Sequence, residues 1–188
     1  MQTVSLPDIQ KQVSILAIAE RFFDSVVLFA LFENRVFHEL ASGPKTFVEI
    51  REAIGGDPRA LRATLDSAVA LKLLSLENER YSASESMLDC LGRQDSPAYL
   101  GEWISFLRAL GGSLMELGEV IRTGVPVGTY FEDGEGDTAP AKRMTAAMDA
   151  YARTRGVEMV ERLDFSTTRR LLDLGCGPGT YSRAIAER

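Results

Sequence analysis

The chain has 188 residues, 45% apolar and 26% charged, which excludes a disordered or low-complexity protein and leaves room for one large domain or a small domain plus part of a second. A formal net charge of −6 repels nucleic acid at long range, and two cysteines with one histidine are too few for a disulfide framework or a zinc site, so no metal is expected. The most apolar run, Val26 to Phe32, is far shorter than the roughly 20 residues that cross a bilayer, and neither a signal peptide nor a lipidation motif is visible. A cytoplasmic protein without membrane contact is expected.

In chain order, Pro7 and Asp8 are a helix start, with Val13, Leu16 and Ala17 at helical spacing. Helical phase continues through Phe22 to Leu40, placing Phe29, Phe32, Val36 and Leu40 on one stripe and Asn34, Arg35 and His38 on other faces. The sequence ASGPK stops it. Thr46 followed three residues later by Glu49 is a capping box and predicts a helix over Phe47 to Ile54, ended by Gly55 and Gly56. Asp57 and Pro58 open the next helix, which runs to about Lys72 with Leu61, Leu65 and Val69 on its apolar side. LLSLENERYSAS then reads as a small hairpin. Three helices and a hairpin over 26–84 are the order of a winged helix.

Two further helices are expected at Pro97 to Leu110 and Ser113 to Arg122, with a break or kink at Gly111 and Gly112 and an end at TGVPVG. Trp103 and Phe106 share a face suited to a core or an interface. GTYFEDGEGDTAP is acidic, glycine-rich and aperiodic, and reads as a linker; Asp133, Glu135 and Asp137 lack the ligand pattern of a calcium loop. A long helix follows from Ala141 to Leu163, with Met144, Met148, Tyr151 and Val157 as expected inward residues.

LLDLGCGPGTYSRAIAER, at 171–188, carries the chemistry. Leu171, Leu172 and Leu174 around Asp173 predict a short buried parallel strand, and Tyr181 to Arg188 a helix. Gly175, Gly177 and Gly179 alternate between them, where a tight reversal and a close ligand leave no room for a Cβ. A dinucleotide fingerprint requires glycine where Thr180 stands, and the lysine of a nucleoside-triphosphate loop is missing. Asp173 places a carboxylate at the end of the strand, which repels pyrophosphate and suits an ammonium or sulfonium group. Cys176 has no base nearby in sequence and fills a tight turn rather than acting as a nucleophile. His38, the single histidine, is remote in sequence from this loop and suits a surface or interface role.

LLDLGCGPGTYS resembles the first motif of class I S-adenosylmethionine-dependent methyltransferases, with Asp173, Gly175, Gly177 and Gly179 matching position by position. The preceding part is similar to the winged-helix dimerisation domain of the O-methyltransferase branch; RTG at Arg122 to Gly124 and AAMDAY at Ala146 to Tyr151 sit where that branch has a helix end and a cofactor-approaching helix. Leu114 departs from a common aromatic, and Ala152 from the serine of many plant members.

The resemblance implies a mainly α fold: a winged-helix-like helical dimerisation domain over 1–125, an acidic glycine-rich linker over 126–140, and over 141–188 a connecting helix and the first β-α unit of an incomplete Rossmann-like α/β domain. It implies S-adenosylmethionine as cofactor, held by Asp173, Gly175, Cys176, Gly177 and Gly179; Met148 and Tyr151 suit either the lining of an aromatic-substrate pocket or the core. The reaction implied is methyl transfer to a hydroxyl of a small aromatic molecule. A homodimer through the amino-terminal helices, no nucleic-acid partner, and a catalytic base beyond Arg188 are also expected; the chain reads as the front portion of such an enzyme, inactive alone and serving mainly as a dimerisation module. The rival is a winged-helix DNA-binding regulator with Arg59 and Arg62 toward the groove, opposed by Asp57, Asp66, Glu77 and Glu79 on the same surfaces.

Overall fold

The computed structural model describes residues 6–127 and 138–187, without the side chains of 6–9 and 138–140. Its two compact units are Met1–Leu88 and Asp89–Arg188. Among the described residues the structure is mainly helical with one small three-stranded sheet, and no helix is long and apolar enough to cross a membrane.

The first unit begins with α1 (Leu6–Glu33) and α2 (Val36–Leu40). The continuous helical phase expected to Leu40 is interrupted at Asn34 and Arg35. Asn34 Nδ2 donates to the Ala30 carbonyl at 2.8 Å, competing with the helical ladder, and Arg35 turns left-handed at φ 59°. The turn re-aims the chain, so that Leu31, Val36, Phe37 and Leu40 are buried while Phe29 and Phe32 are only half-buried.

β1 (Lys45–Thr46) leads into α3 (Phe47–Ile54), where the capping box is complete: Thr46 accepts from the Glu49 amide and Glu49 accepts from the Thr46 amide. At the start of α4 (Pro58–Ala70), Asp57 Oδ1 accepts from the amides of Arg59 and Ala60. β2 (Ser75–Glu77) and β3 (Arg80–Ser82) form the hairpin, with Asn78 and Glu79 at φ 48° and 61°, the left-handed pair that matches strand twist. β1 adds to β3 with Lys45 opposite Tyr81. Two residues are too few to show alternation, so this strand was not predicted. Tyr81 is fully buried, as are Ile50 of α3 and Leu65 of α4; its hydroxyl accepts from Arg62 at 2.9 Å and donates to Asp66 at 3.3 Å. Burial pushes its pKa up, while Arg62 pulls the other way.

α5 (Glu85–Leu91), a short helix absent from the sequence reading, reaches into the second unit, whose helices are α6 (Gly101–Met115), α7 (Leu117–Thr123), α8 (Thr138–Arg162) and α9 (Thr180–Ala186). α6 starts at Gly101 rather than Pro97 and passes unbroken through Gly111 and Gly112; the break falls at Glu116. Glycine inside a helix costs about 1 kcal/mol but removes no hydrogen bond. At Gly101 the Tyr99 ring lies over the bare backbone, where a Cβ would stand 2.1 Å from it unless the ring moved. α7 ends at Gly124 in the left-handed conformation.

Of the expected linker, 128–137 lie outside the described residues, including Asp133, Glu135 and Asp137, and Thr138 already belongs to α8. The inward face of α8 also differs from expectation: Ala147, Ala150, Ala152 and Val160 are buried, Met144 and Met148 are intermediate, and Tyr151 and Val157 are exposed. Close helix packing selects small side chains. At Gly156 a Cβ would stand 3.4 Å from Ala184 Cβ, so large residues are displaced to the margins of the contact.

The predicted strand at Leu171 to Leu174 does not form. The segment is irregular, and Leu172 and Leu174 are 80% and 85% exposed. A strand is defined by a ladder to a neighbour, and among the described residues no strand lies beside it.

Candidate cofactor and substrate cleft

Gly175, Gly177 and Gly179 adopt φ of 75°, 52° and 72°, left-handed values that a side chain resists. A Cβ built on any of them meets nothing within 4 Å. The backbone there runs beside open space, as at most of the described glycines, and it is the left-handed φ that selects glycine. The loop is closed by the Gly179 amide donating to the Cys176 carbonyl at 2.9 Å, and Gly179 caps α9.

The loop borders a cleft of about 590 Å³, within the usual range for small-molecule sites. Asp173, Gly175, Cys176 and Gly177 line it together with Met148 and Tyr151, so six of the seven residues singled out by sequence share one cavity; Gly179 stands outside its lining. Cys176 is exposed, and its thiol donates to the Gly177 carbonyl at 3.5 Å. Asp173 accepts a hydrogen bond from Ser182 on α9. Tyr151 packs on Trp103 with ring centroids 4.5 Å apart, and Trp103 stacks on Phe106 at 5.3 Å, so an aromatic ladder from α6 backs one wall. The Arg155 guanidinium lies 5.7 Å from the Tyr151 ring; its pKa is raised by Glu158, which accepts its hydrogen bond at 2.8 Å, and next by Tyr151. His38 is exposed on α2 in the other unit.

Sequence reasoning missed a polar group joining α8 to α9. Thr180 donates to Asp149 Oδ1, Arg183 donates to the same oxygen at 3.2 Å and to Thr180 Oγ1 at 3.3 Å, and Arg153 Nε lies 3.8 Å from Asp149 Oδ2. Asp149 and Thr180 are 31 residues apart, so no local spacing announces the pair. Met159 and Ile185 on the cleft wall were likewise unmarked.

No protein-family model matches the chain. The tetracenomycin polyketide synthesis 8-O-methyl transferase TcmO of Streptomyces glaucescens is 31% identical over 175 residues, covering 89% of this chain and 51% of that protein. The fold matches human N-acetylserotonin methyltransferase in complex with SAM (TM-score 0.76, 23% identity, 100% of this chain and 58% of that one). It also matches CalO1, a methyltransferase of calicheamicin biosynthesis in its SAH-bound form (TM-score 0.77, 19% identity, 98% and 57%). The relatives and solved structures that this chain resembles are methyltransferases, O-methyltransferases such as TcmO and N,N-dimethyltransferases such as OxyT of Streptomyces rimosus among them, and two of the structures hold SAM or SAH. The chain spans about half the length of the curated relatives it matches.

Proposed function

We propose that this chain carries the S-adenosylmethionine loop and part of the acceptor wall of an enzyme that methylates a hydroxyl of a small aromatic molecule. The observation that carries this reading is the single cleft shared by Asp173, the open glycine backbone, Met148 and Tyr151. When bound, S-adenosylmethionine supplies a methyl group on a cationic sulfur that departs as a neutral thioether. Gly175 and Gly177 let the backbone approach the ligand without a Cβ, and the Asp173 carboxylate favours a cationic neighbour over a phosphate. Met148 and Tyr151 orient the acceptor. Tyr151, held by Trp103, offers a flat surface to an aromatic ring, and Met148 a polarizable one. Rate enhancement then rests largely on proximity and alignment, because the methyl donor is already activated.

The first unit fits a winged-helix dimerisation role. Along α1, Val13, Ile15, Leu16, Ile18, Phe22, Phe23 and Val26 are each about half exposed or more, apolar side chains spread around the helix that a second copy would cover. DNA reading by α4 is disfavoured: Arg62 is committed to the Tyr81 hydroxyl and lies 3.9 Å from the Phe47 ring centroid. The hairpin adds Glu77 and Glu79, exposed and of the sign that phosphates repel.

Calorimetric titration of the chain with S-adenosylhomocysteine tests the cofactor reading. Saturable binding at about micromolar Kd is expected, and no heat up to roughly millimolar ligand overturns it for this chain. Sedimentation tests the dimer, which a concentration-independent monomer would exclude.

A further inference from the structure

Thr180 is the buried polar residue of the described core, 6% exposed, and it stands immediately after Gly179, where the loop becomes helix. Its hydroxyl is satisfied by a side chain from a different helix, Asp149 of α8. Asp149 has both carboxylate oxygens engaged, Oδ1 by Thr180 and Arg183 and Oδ2 by the more distant Arg153. Apolar contact also docks α9, where Tyr181 and Ala184 approach the bare backbone of Gly156. The polar contact sits at the loop end of α9, while Ser182 to Asp173 ties the same first turn to the other end of the loop.

We propose that Asp149 is a positioning residue for the cofactor loop, clamping its exit through Thr180 and Arg183 so that the loop and the acceptor wall keep one spacing. Asp149 lies one residue after Met148 and two before Tyr151 on α8. The side chain that anchors the loop therefore belongs to the backbone segment that presents the acceptor wall, and movement of one carries the other. The inference rests on the methyltransferase reading for its consequence, but its physical content is the order of the loop itself.

Four variants of the full chain separate the clamp from ordinary packing. Thr180→Val keeps shape and removes the hydroxyl; Thr180→Ser restores it. Asp149→Ala removes the acceptor; Asp149→Asn keeps an acceptor for Thr180 and loses the charge facing Arg183. Hydrogen exchange is read at the amides of 175–177, 179 and 180 and, as a packing control, at 184–185. Faster exchange over 175–180 with 184–185 unchanged is expected for Asp149→Ala and Thr180→Val, with Thr180→Ser like the parent and Asp149→Asn between. Loss of one partner of a charged hydrogen bond should weaken S-adenosylhomocysteine on the order of tenfold. The double variant Asp149→Ala/Thr180→Val should be no worse than either single one. Parent-like exchange in Thr180→Val and Asp149→Ala overturns the clamp, as does an equal rise along all of α9, which would mark plain destabilisation. If the parent chain itself fails to bind S-adenosylhomocysteine, the functional reading falls while the exchange pattern still decides the clamp.

Discussion

The β2–β3 hairpin and the glycine loop are both tight turns with left-handed backbone, at Asn78 and Glu79 in one and at Gly175, Gly177 and Gly179 in the other, yet their flanks have opposite fates. Beside the hairpin, Tyr81 is wholly buried, paired across to Leu76, and hydrogen-bonded to Arg62 and Asp66. Beside the glycine loop, Leu172 and Leu174 face solvent and pair with no described strand. The difference teaches that turn chemistry is local while a strand is not. Asn tolerates, and glycine invites, the left-handed region wherever they occur; an apolar run becomes a strand only when a neighbour accepts its backbone hydrogen bonds.

The contrast is broken most forcefully by truncating its two flanks. Tyr81→Ala should cost about 3–5 kcal/mol, since it opens a cavity in the core, whereas Leu172→Ala should stay within about 0.5 kcal/mol in this chain. Urea denaturation measures both, and equal losses would mean that Leu172 is covered in solution. A smaller effect comes from giving the loop a side chain. Gly177→Ala must hold φ near 52° and should cost about 1–2 kcal/mol locally. Its signature is weakened S-adenosylhomocysteine binding with the urea midpoint of the first unit unmoved.

The smallest effect sharpens the hairpin side. Lys45 on β1 donates to Glu39 at 2.9 Å and holds that carboxyl below its ordinary pKa, against the opposing pull of burial. A pKa depressed on folding contributes stability that is present above the unfolded carboxylate value and is lost as pH falls through the folded one. Lys45→Met should therefore cost a few tenths of a kcal/mol near neutrality and nothing once both states are protonated. A variant whose deficit is the same at about pH 7 and about pH 2.5 would show that the ion pair contributes nothing.

Several elements were readable from single residues. Thr46 with Glu49 marked the start of α3, Asp57 with Pro58 that of α4, and Gly124 the end of α7, because a cap is a contact within four residues. Gly111 and Gly112 misled, since a helix held by neighbours tolerates a propensity penalty. Within the cleft, Asp173, Gly175, Cys176 and Gly177 were legible as a contiguous motif. Met148 and Tyr151 were named as lining residues, yet α8 was given the wrong inward face, because helical spacing alone does not say that Gly156 and the alanines mark the close contact. Asp149 stood inside the AAMDAY segment but was given no role of its own.

By itself the amino-acid sequence determined the caps, the hairpin and the glycine loop, whose physical causes lie in φ preferences and hydrogen bonds spanning a few residues. Only the tertiary structure decided that Asn34 and Arg35 break the first helical run, that alanines rather than methionines face inward on α8, that Leu171 to Leu174 stays unpaired, and that Asp149 meets Thr180. Each of these depends on which distant backbone or side chain arrives as a neighbour, and that is settled by packing rather than by local preference.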